Sequence, residues 1–158
     1  MQGMNISEVG HVVNALPPID IAGGASTDRW KMTNYRKATI IVSLGVSAAA
    51  PTSILVYEAT AATAGTTAAI AFSYQAETTA AGDTLGARTT VAATGITTVT
   101  ANDTTMYVID VDARELTDGR PWLFVTINNA SGSSVLASVM VVLSGSRYST
   151  EQSATAIV

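Results

Sequence analysis

Cysteine is absent from this sequence of 158 residues, and its absence removes several kinds of site at once. Without a thiol, the chain has no disulfide, no thiolate ligand for a metal ion and no cysteine nucleophile. Histidine is almost as scarce, because His11 is the single imidazole. A serine hydrolase triad would need His11, and the sequence has no Gly-x-Ser-x-Gly elbow to accompany it. We expect that the protein is not an enzyme, that it uses no cofactor or metal, and that His11 is a surface or contact residue.

Charged side chains are scarce too, since Asp, Glu, Lys and Arg together make up 13% of the residues. That share is about half the usual one. Hydrophobic residues reach 47%, a composition that argues against disorder. The net charge of −4 gives no basic stripe, so direct binding of nucleic acid is not expected. We expect neighbouring molecules to cover part of this uncharged surface.

Long apolar runs are also missing. The segment MQGMNISEVGHVV has no basic stretch followed by an apolar run, and no segment approaches about 18 consecutive apolar residues. We therefore expect neither a secretory signal nor a membrane span. The length suits one domain that buries roughly 70% of the surface its unfolded chain exposes.

What the sequence does contain is apolar residues at every second position, the pattern of half-buried strands. In KATIIVSLGV the positions expected to face inward are Ala38, Ile40, Val42, Leu44 and Val46. The next segment, TSILVYEA, is apolar on both faces and predicts a central strand. A hairpin is the simplest connection between these two strands.

Further strands follow at similar spacing. Residues 68–78 predict a third strand, and TTMYVIDVDA, WLFVTI and SVLASVMVVLSG predict three more. In TTMYVIDVDA, Tyr107, Ile109 and Val111 are expected to face inward. The whole pattern predicts an all-β sandwich, jelly-roll or immunoglobulin-like, with about seven to nine strands.

The two ends of the chain lack this pattern. Residues 1–36 contain Pro17-Pro18 and Gly23-Gly24 and predict an extended N-terminal arm with short strands. Residues 37–148 form the predicted sandwich core. Residues 149–158 form a polar C-terminal tail.

Basic and aromatic side chains are interleaved just before the first strong strand. Trp30 and Tyr35 lie among four basic residues, Arg29, Lys31, Arg36 and Lys37. One interpretation is an adhesive patch for an acidic protein surface. The other is a solvated strand whose long side chains lay their apolar stems on the protein. Trp30 and Tyr35 are predicted contact residues under the first interpretation.

The last two strands carry apolar residues on both faces. If the alternate residues of WLFVTI face the core, Trp122 and Phe124 face away from it, and the same reasoning turns Leu136, Met140 and Val142 outward. A monomer rarely exposes a large apolar patch. These residues are therefore predicted to contact a subunit or capsid, with cover by the N-terminal arm as the alternative.

The densest acidic cluster comprises Asp110, Asp112, Glu115 and Asp118. Carboxylate oxygens are ligands for hard cations such as Ca²⁺, but the spacing does not fit an EF-hand loop. The alternative is a solvated strand edge and turn whose charges prevent unwanted pairing. The sequence leaves open whether the cluster binds a cation.

The passages IVSLGVSAAAPTSILVYEATAA, AFSYQAETTAAGDTLGAR and YVIDVDARELTDGRPWLFVTI resemble small virion proteins of tailed bacteriophages. The resemblance implies a capsid decoration, or cement, protein that binds the major capsid protein lattice and stabilises the head. It further implies a homotrimer on the capsid surface, present in the host cytoplasm during assembly. The resemblance transfers no site residue.

Two other functions remain open at this point. A tail or head-fibre component, including a receptor-binding module, would share the composition rich in threonine, alanine and glycine. A carbohydrate-binding β-sandwich domain would need clustered aromatic residues or paired carboxylates around a cleft. The aromatic content of 6% disfavours a sugar-binding platform.

Overall fold

The computed structural model describes residues 5–47, 49–79, 82–100 and 104–147. A helical turn, α1 (Ile6–Val9), comes before the first strand, and a 3-10 turn (Ala113–Glu115) follows the ninth. The strands are β1 (Gly10–Asp20), β2 (Ala25–Ser26), β3 (Trp30–Lys31), β4 (Lys37–Ser47), β5 (Ser53–Ala59), β6 (Thr67–Ala69), β7 (Phe72–Glu77), β8 (Thr89–Val91), β9 (Thr105–Asp112), β10 (Trp122–Asn128) and β11 (Val135–Ser144).

These strands form two antiparallel sheets. One has the order β1-β11-β4-β9-β7-β8 and the other β2-β10-β5-β6, with β3 also paired to β10. The pairing is nested: β1 joins β11, β2 and β3 join β10, β4 joins β9, and β5 joins β6. First-with-last pairing of this kind is the jelly-roll connectivity, in which two Greek keys form a double sheet. The prediction of an all-β sandwich is confirmed, and β7 and β8 extend the larger sheet.

One hydrophobic core fills the space between the two sheets. Every second residue of β4, β9 and β11 is buried, as the alternation predicted, and Tyr107, Ile109 and Val111 are all at most 2% exposed. Burial of each such side chain contributes roughly 1.5–3 kcal/mol. The inward position predicted for Val46 is wrong, because Val46 is 62% exposed. The register of β4 against β11 is irregular between Leu44 and Ser47, which pair with Ala137 and Val135, so the alternation of inward positions is interrupted before Val46.

Two predicted connections are wrong. β4 and β5 do not form a hairpin, because they lie in opposite sheets. Residues 68–78 are not one strand either: β6 belongs to the smaller sheet, and β7 belongs to the larger one. The alternation of Ile70, Phe72, Tyr74 and Ala76 runs through the break because these four side chains lie in or against the same core.

Residues 10–35 belong to the sandwich, which differs from the expected separate arm. β1 is a full edge strand of the larger sheet, and it buries Val13, Ala15 and Leu16. Pro17-Pro18 lies where the register of β1 against β11 shifts, and an edge strand tolerates proline because one side of its backbone needs no partner. Residues 1–4 and the predicted tail, 149–158, lie outside the described residues.

Gly95 is the position where the fold most clearly needs glycine. Its φ is 73°, and an added Cβ would clash with the carbonyl oxygen of Ile54 on β5. Gly95→Ala is therefore expected to lower the free energy of unfolding by about 3 kcal/mol, as the sum of left-handed strain and overpacking. The measurement is urea denaturation of both proteins.

Gly119 is the matched control for this prediction. Its φ is 80°, but nothing lies within 4 Å of an added Cβ. Gly119→Ala should lower the free energy of unfolding by about 1–2 kcal/mol, the contribution of left-handed backbone strain alone. Equal losses at the two positions would contradict the clash at Gly95.

Candidate functional site

Two of the predicted contact residues are in the core. Trp30 is 0% exposed and Tyr35 is 1% exposed, so neither can touch a partner from these positions. Trp30 pairs with Leu123 across β3 and β10, and its side chain points between the sheets. The ring of Tyr35 stacks on His11 at 5.9 Å, and burial raises the pKa of Tyr35. Neither residue forms part of an exposed adhesive patch.

Trp122 and Phe124 face outward from the smaller sheet, as predicted, but the chain itself covers them. Both are less than 10% exposed, at 9% and 8%. The Arg29 guanidinium carbon lies 4.7 Å from the Phe124 ring centre, and Lys31 Nζ lies 5.7 Å from the Trp122 ring centre. The Tyr57 ring stacks on the Phe124 ring, and the two ring centres are 5.1 Å apart. The expected subunit contact is therefore replaced by cover from the segment before β4.

We call this group the cation–aromatic patch, and it comprises Arg29, Lys31, Tyr57, Trp122 and Phe124. Both cations flank Trp30 in the sequence, and their contacts with Phe124 and Trp122 place them on the outer face while Trp30 itself is buried in the core. The sequence had indicated both adhesive and solvated roles for these cations. The structure shows that the charged groups themselves, the Arg29 guanidinium and the Lys31 ammonium, lie over aromatic rings.

Leu136, Met140 and Val142 lie on the outer face of the larger sheet, as predicted. Leu136 is 48% exposed and Met140 is 46% exposed, whereas Val142 is half-buried. Neighbouring strands add apolar side chains to the same face: Val12 of β1 pairs with Val142, and Ile41 of β4 pairs with Met140. We call this surface the apolar face, and its residues are Val12, Ile41, Val108, Leu136, Met140 and Val142.

Ionised side chains lie at both ends of this outer face, and Asp110, paired with Arg88, lies on β9 in the row that contains Val12 and Val142. At one end Lys37 pairs in register with Asp112, and at the other end Asp20 pairs with Leu136. Between them the row through Met140 and Ile41 continues to Val108 without a charged residue. Interface cores in proteins are depleted of charge in the same way.

Three apolar-face residues, Val12, Ile41 and Val108, were not among the predicted contacts. Ile41 and Val108 occupy outward positions in alternating strands, where polar residues are usual. An apolar residue at such a position is the signal that could have identified them. Val12 had no such signal, because its strand was not recognised in the sequence.

Three carboxylates of the predicted acidic cluster, those of Asp110, Asp112 and Glu115, are bound by the protein's own donors, and Asp118 is exposed. Arg88 Nη1 donates to Asp110 at 3.1 Å. Arg114 side-chain and backbone donors bind Asp112 and hold its pKa well below the usual range. Glu115 Oε2 accepts from the Asp112 backbone nitrogen and completes a capping box. Within the described residues, no group of three or more His, Asp or Glu side chains is arranged to hold a metal ion.

A cleft of about 350 Å³ lies beside this cluster. Its lining includes Phe72, Arg88, Asp110 and Glu115. The Phe72 ring is only 3% exposed, so it offers no face on which a sugar could stack. The charges of Arg88 and Asp110 already satisfy each other.

None of the helical segments in the described ranges is long and apolar enough to cross a membrane. Comparison of the chain with protein-family models, with curated proteins and with solved structures finds no match in any of the three. The fold and the two outer faces are therefore the features from which a function has to be argued.

Proposed function

We propose that this protein is a structural subunit of a tailed-bacteriophage virion, a capsid decoration protein that binds the major capsid protein lattice and stabilises the head. The observation that carries the proposal is the apolar face, where Val12, Leu136 and Met140 are each 46–48% exposed on one sheet surface. The row through Met140, Ile41 and Val108 holds no charged residue, and an exposed apolar surface of this kind fits another protein surface. A small molecule would need a concave site.

The jelly roll supports the same proposal by analogy. Viral capsid domains and lectins both use this fold, so the fold alone does not select between them. The absence of an exposed aromatic platform in the described clefts disfavours a lectin. The resemblance of the sequence to virion proteins then favours the capsid.

Attachment to a repeating lattice also explains how a contact surface as small as the apolar face could give stable binding. The six residues of the apolar face are few beside the roughly 20–30 residues that each partner contributes to a stable interface. The copies of a trimer would bind the lattice at several points at once. Because these contacts are linked, the trimer binds more tightly than any single contact would. The proposed partners are therefore the major capsid protein and sister copies, at the capsid surface.

Cryo-electron microscopy of purified virions tests the proposal directly. The expected result is density for the jelly roll on the outside of the head. Density on the tail or on fibres would assign the protein to a fibre component instead. Absence from mature particles would contradict any virion role.

Met140→Asp tests the contact surface. The charge would have to be buried against the lattice, so binding to capsids that lack the protein is expected to weaken at least tenfold, about 1.4 kcal/mol. Stability should change by no more than about 1 kcal/mol, because Met140 is exposed in the strand. Co-sedimentation with capsids measures the first effect, and urea denaturation measures the second.

Thr67→Asp is the matched control, since it places the same charge on the exposed β6 of the other sheet. Its binding should stay within about twofold of the unmodified protein. Equal weakening by both substitutions would show that overall charge, and not the apolar face, controls attachment.

A further inference from the structure

The cation–aromatic patch carries two positive charges that form no ion pair with any described residue. The four ion pairs of the described residues use Arg36, Arg88, Arg114 and Arg120. Arg29 and Lys31 belong to none of them. In a protein whose net charge is −4, two such cations side by side are a distinct local feature.

The fold holds the Arg29 guanidinium in one place. Its Nη1 donates to the carbonyl oxygen of Ala61 at 2.8 Å, and the group lies over the Phe124 ring, which in turn stacks on Tyr57. A guanidinium has five N–H donors, and this contact to Ala61 uses one of them. A fixed guanidinium binds a carboxylate with little further loss of side-chain entropy.

The spacing of the two cations defines what fits them. Arg29 lies over Phe124 and Lys31 lies over Trp122, and these two rings are two residues apart on β10. The Cα atoms that carry the rings are about 6.6 Å apart, since a strand rises by about 3.3 Å per residue, and the rings hold the two cations at a similar spacing. Carboxylates at alternate positions of another extended segment have the same spacing.

We propose that the cation–aromatic patch binds an extended acidic segment of a partner protein, with glutamate or aspartate at alternate positions. Arginine and aromatic residues are the side chains that most often dominate protein interfaces, and here the rings support both cations. The proposal goes beyond the virion assignment and uses a different sheet from the apolar face. It concerns one partner chemistry, an acidic polypeptide.

Two other occupants fit less well. A nucleic acid strand extends far beyond two cations and would meet the repulsion of a protein with net charge −4. A second copy of this chain offers Asp110 and Asp112 at alternate positions of β9, but Arg88 and Arg114 already bind them. An acidic segment of a different protein has neither disadvantage.

The test uses a synthetic peptide of alternating glutamate and threonine and measures binding by fluorescence anisotropy at low salt. The unmodified protein should bind it at least fivefold more tightly than a peptide with the same number of glutamates at every third position. The double substitution Arg29→Gln with Lys31→Gln should weaken binding at least tenfold. Lys31→Gln alone, at an exposed position, should weaken it at least threefold even if the double variant folds poorly.

The double substitution Lys37→Gln with Arg147→Gln is the matched control, because it removes two positive charges elsewhere and should leave binding within twofold. Three results would overturn the proposal: no preference between the two peptides, equal loss in the two double variants, or equally tight binding of an oligothymidylate of the same charge. Light scattering adds a fourth, since loss of self-association in the Arg29 and Lys31 variants would assign the patch to a contact between copies.

Discussion

Glu58→Ala is expected to lower the free energy of unfolding by about 3–5 kcal/mol, the usual cost of removing one partner from a buried ion pair. Glu58 is 2% exposed on the inward side of β5. Its carboxylate accepts a hydrogen bond from Arg120 Nη1 at 2.9 Å and another from the Thr117 backbone nitrogen at 2.8 Å. The substitution would leave both donors unpaired and release the loop before β10. Thermal and urea denaturation measure the loss.

Asp118→Ala is the control for this effect. Asp118 is an exposed carboxylate in the same loop, so its removal should change stability by no more than about 0.5 kcal/mol. A loss at Glu58 no greater than at Asp118 would show that the buried pair does not hold the loop.

The Glu58 contact also makes a specific contribution to the pH dependence of stability. Burial alone raises the pKa of Glu58, but hydrogen bonds from Thr117 and Arg120 outweigh it and hold the pKa below its ordinary value. The contact therefore stabilises the folded protein fully above the unfolded pKa of about 4.3 and is lost as the pH falls through the lower folded pKa. The difference in stability between the unmodified protein and Glu58→Ala should accordingly narrow in acid. A difference that widened in acid would contradict the direction of the shift.

Trp30→Ala is expected to cost about 3–5 kcal/mol of stability, the range for truncating a large buried aromatic residue. Trp30 is 0% exposed in the main core. The measurement is urea denaturation, with the neighbouring exposed Thr33→Ala as a control that should change stability by no more than about 0.5 kcal/mol.

Trp30→Phe separates packing from hydrogen bonding at the same position. Among the described residues, the indole Nε1 has no hydrogen-bond partner, so the phenylalanine variant loses volume and no hydrogen bond. Its cost should be clearly smaller than that of Trp30→Ala. A small effect of Trp30→Ala together with loss of partner binding would return Trp30 to the set of contact residues.

Strand positions were predictable from the sequence where burial of one face leaves a regular alternation of apolar residues. β4 and β9 show this, because burial of every second residue is a local property that the alternation records. The sheet to which a strand belongs is not local. Ile70, Phe72, Tyr74 and Ala76 form one alternating apolar series, although the chain leaves the smaller sheet after β6 and enters the larger sheet at β7. Nothing in this series marks the change of sheet.

The candidate surfaces were predictable only in part. Leu136 and Met140 were found because their strand is apolar on both faces. Trp30 was misplaced because β3 is two residues long, too short for its alternation to be recognised. The cover of Phe124 by Arg29 joins residues far apart in the chain, and a single sequence holds no record of such a pairing.

The position of β11 has a consequence for how the chain is made and folded. β11 is the last of the eleven strands along the chain, yet it lies between β1 and β4 in the larger sheet, and among the described strands it alone pairs with β1. β1 therefore gains its partner strand only once β11 has been synthesised. Pairing between such distant segments folds slowly. The larger sheet consequently cannot close around β1 before β11 is available, and a chain truncated before β11 would leave β1 without this partner.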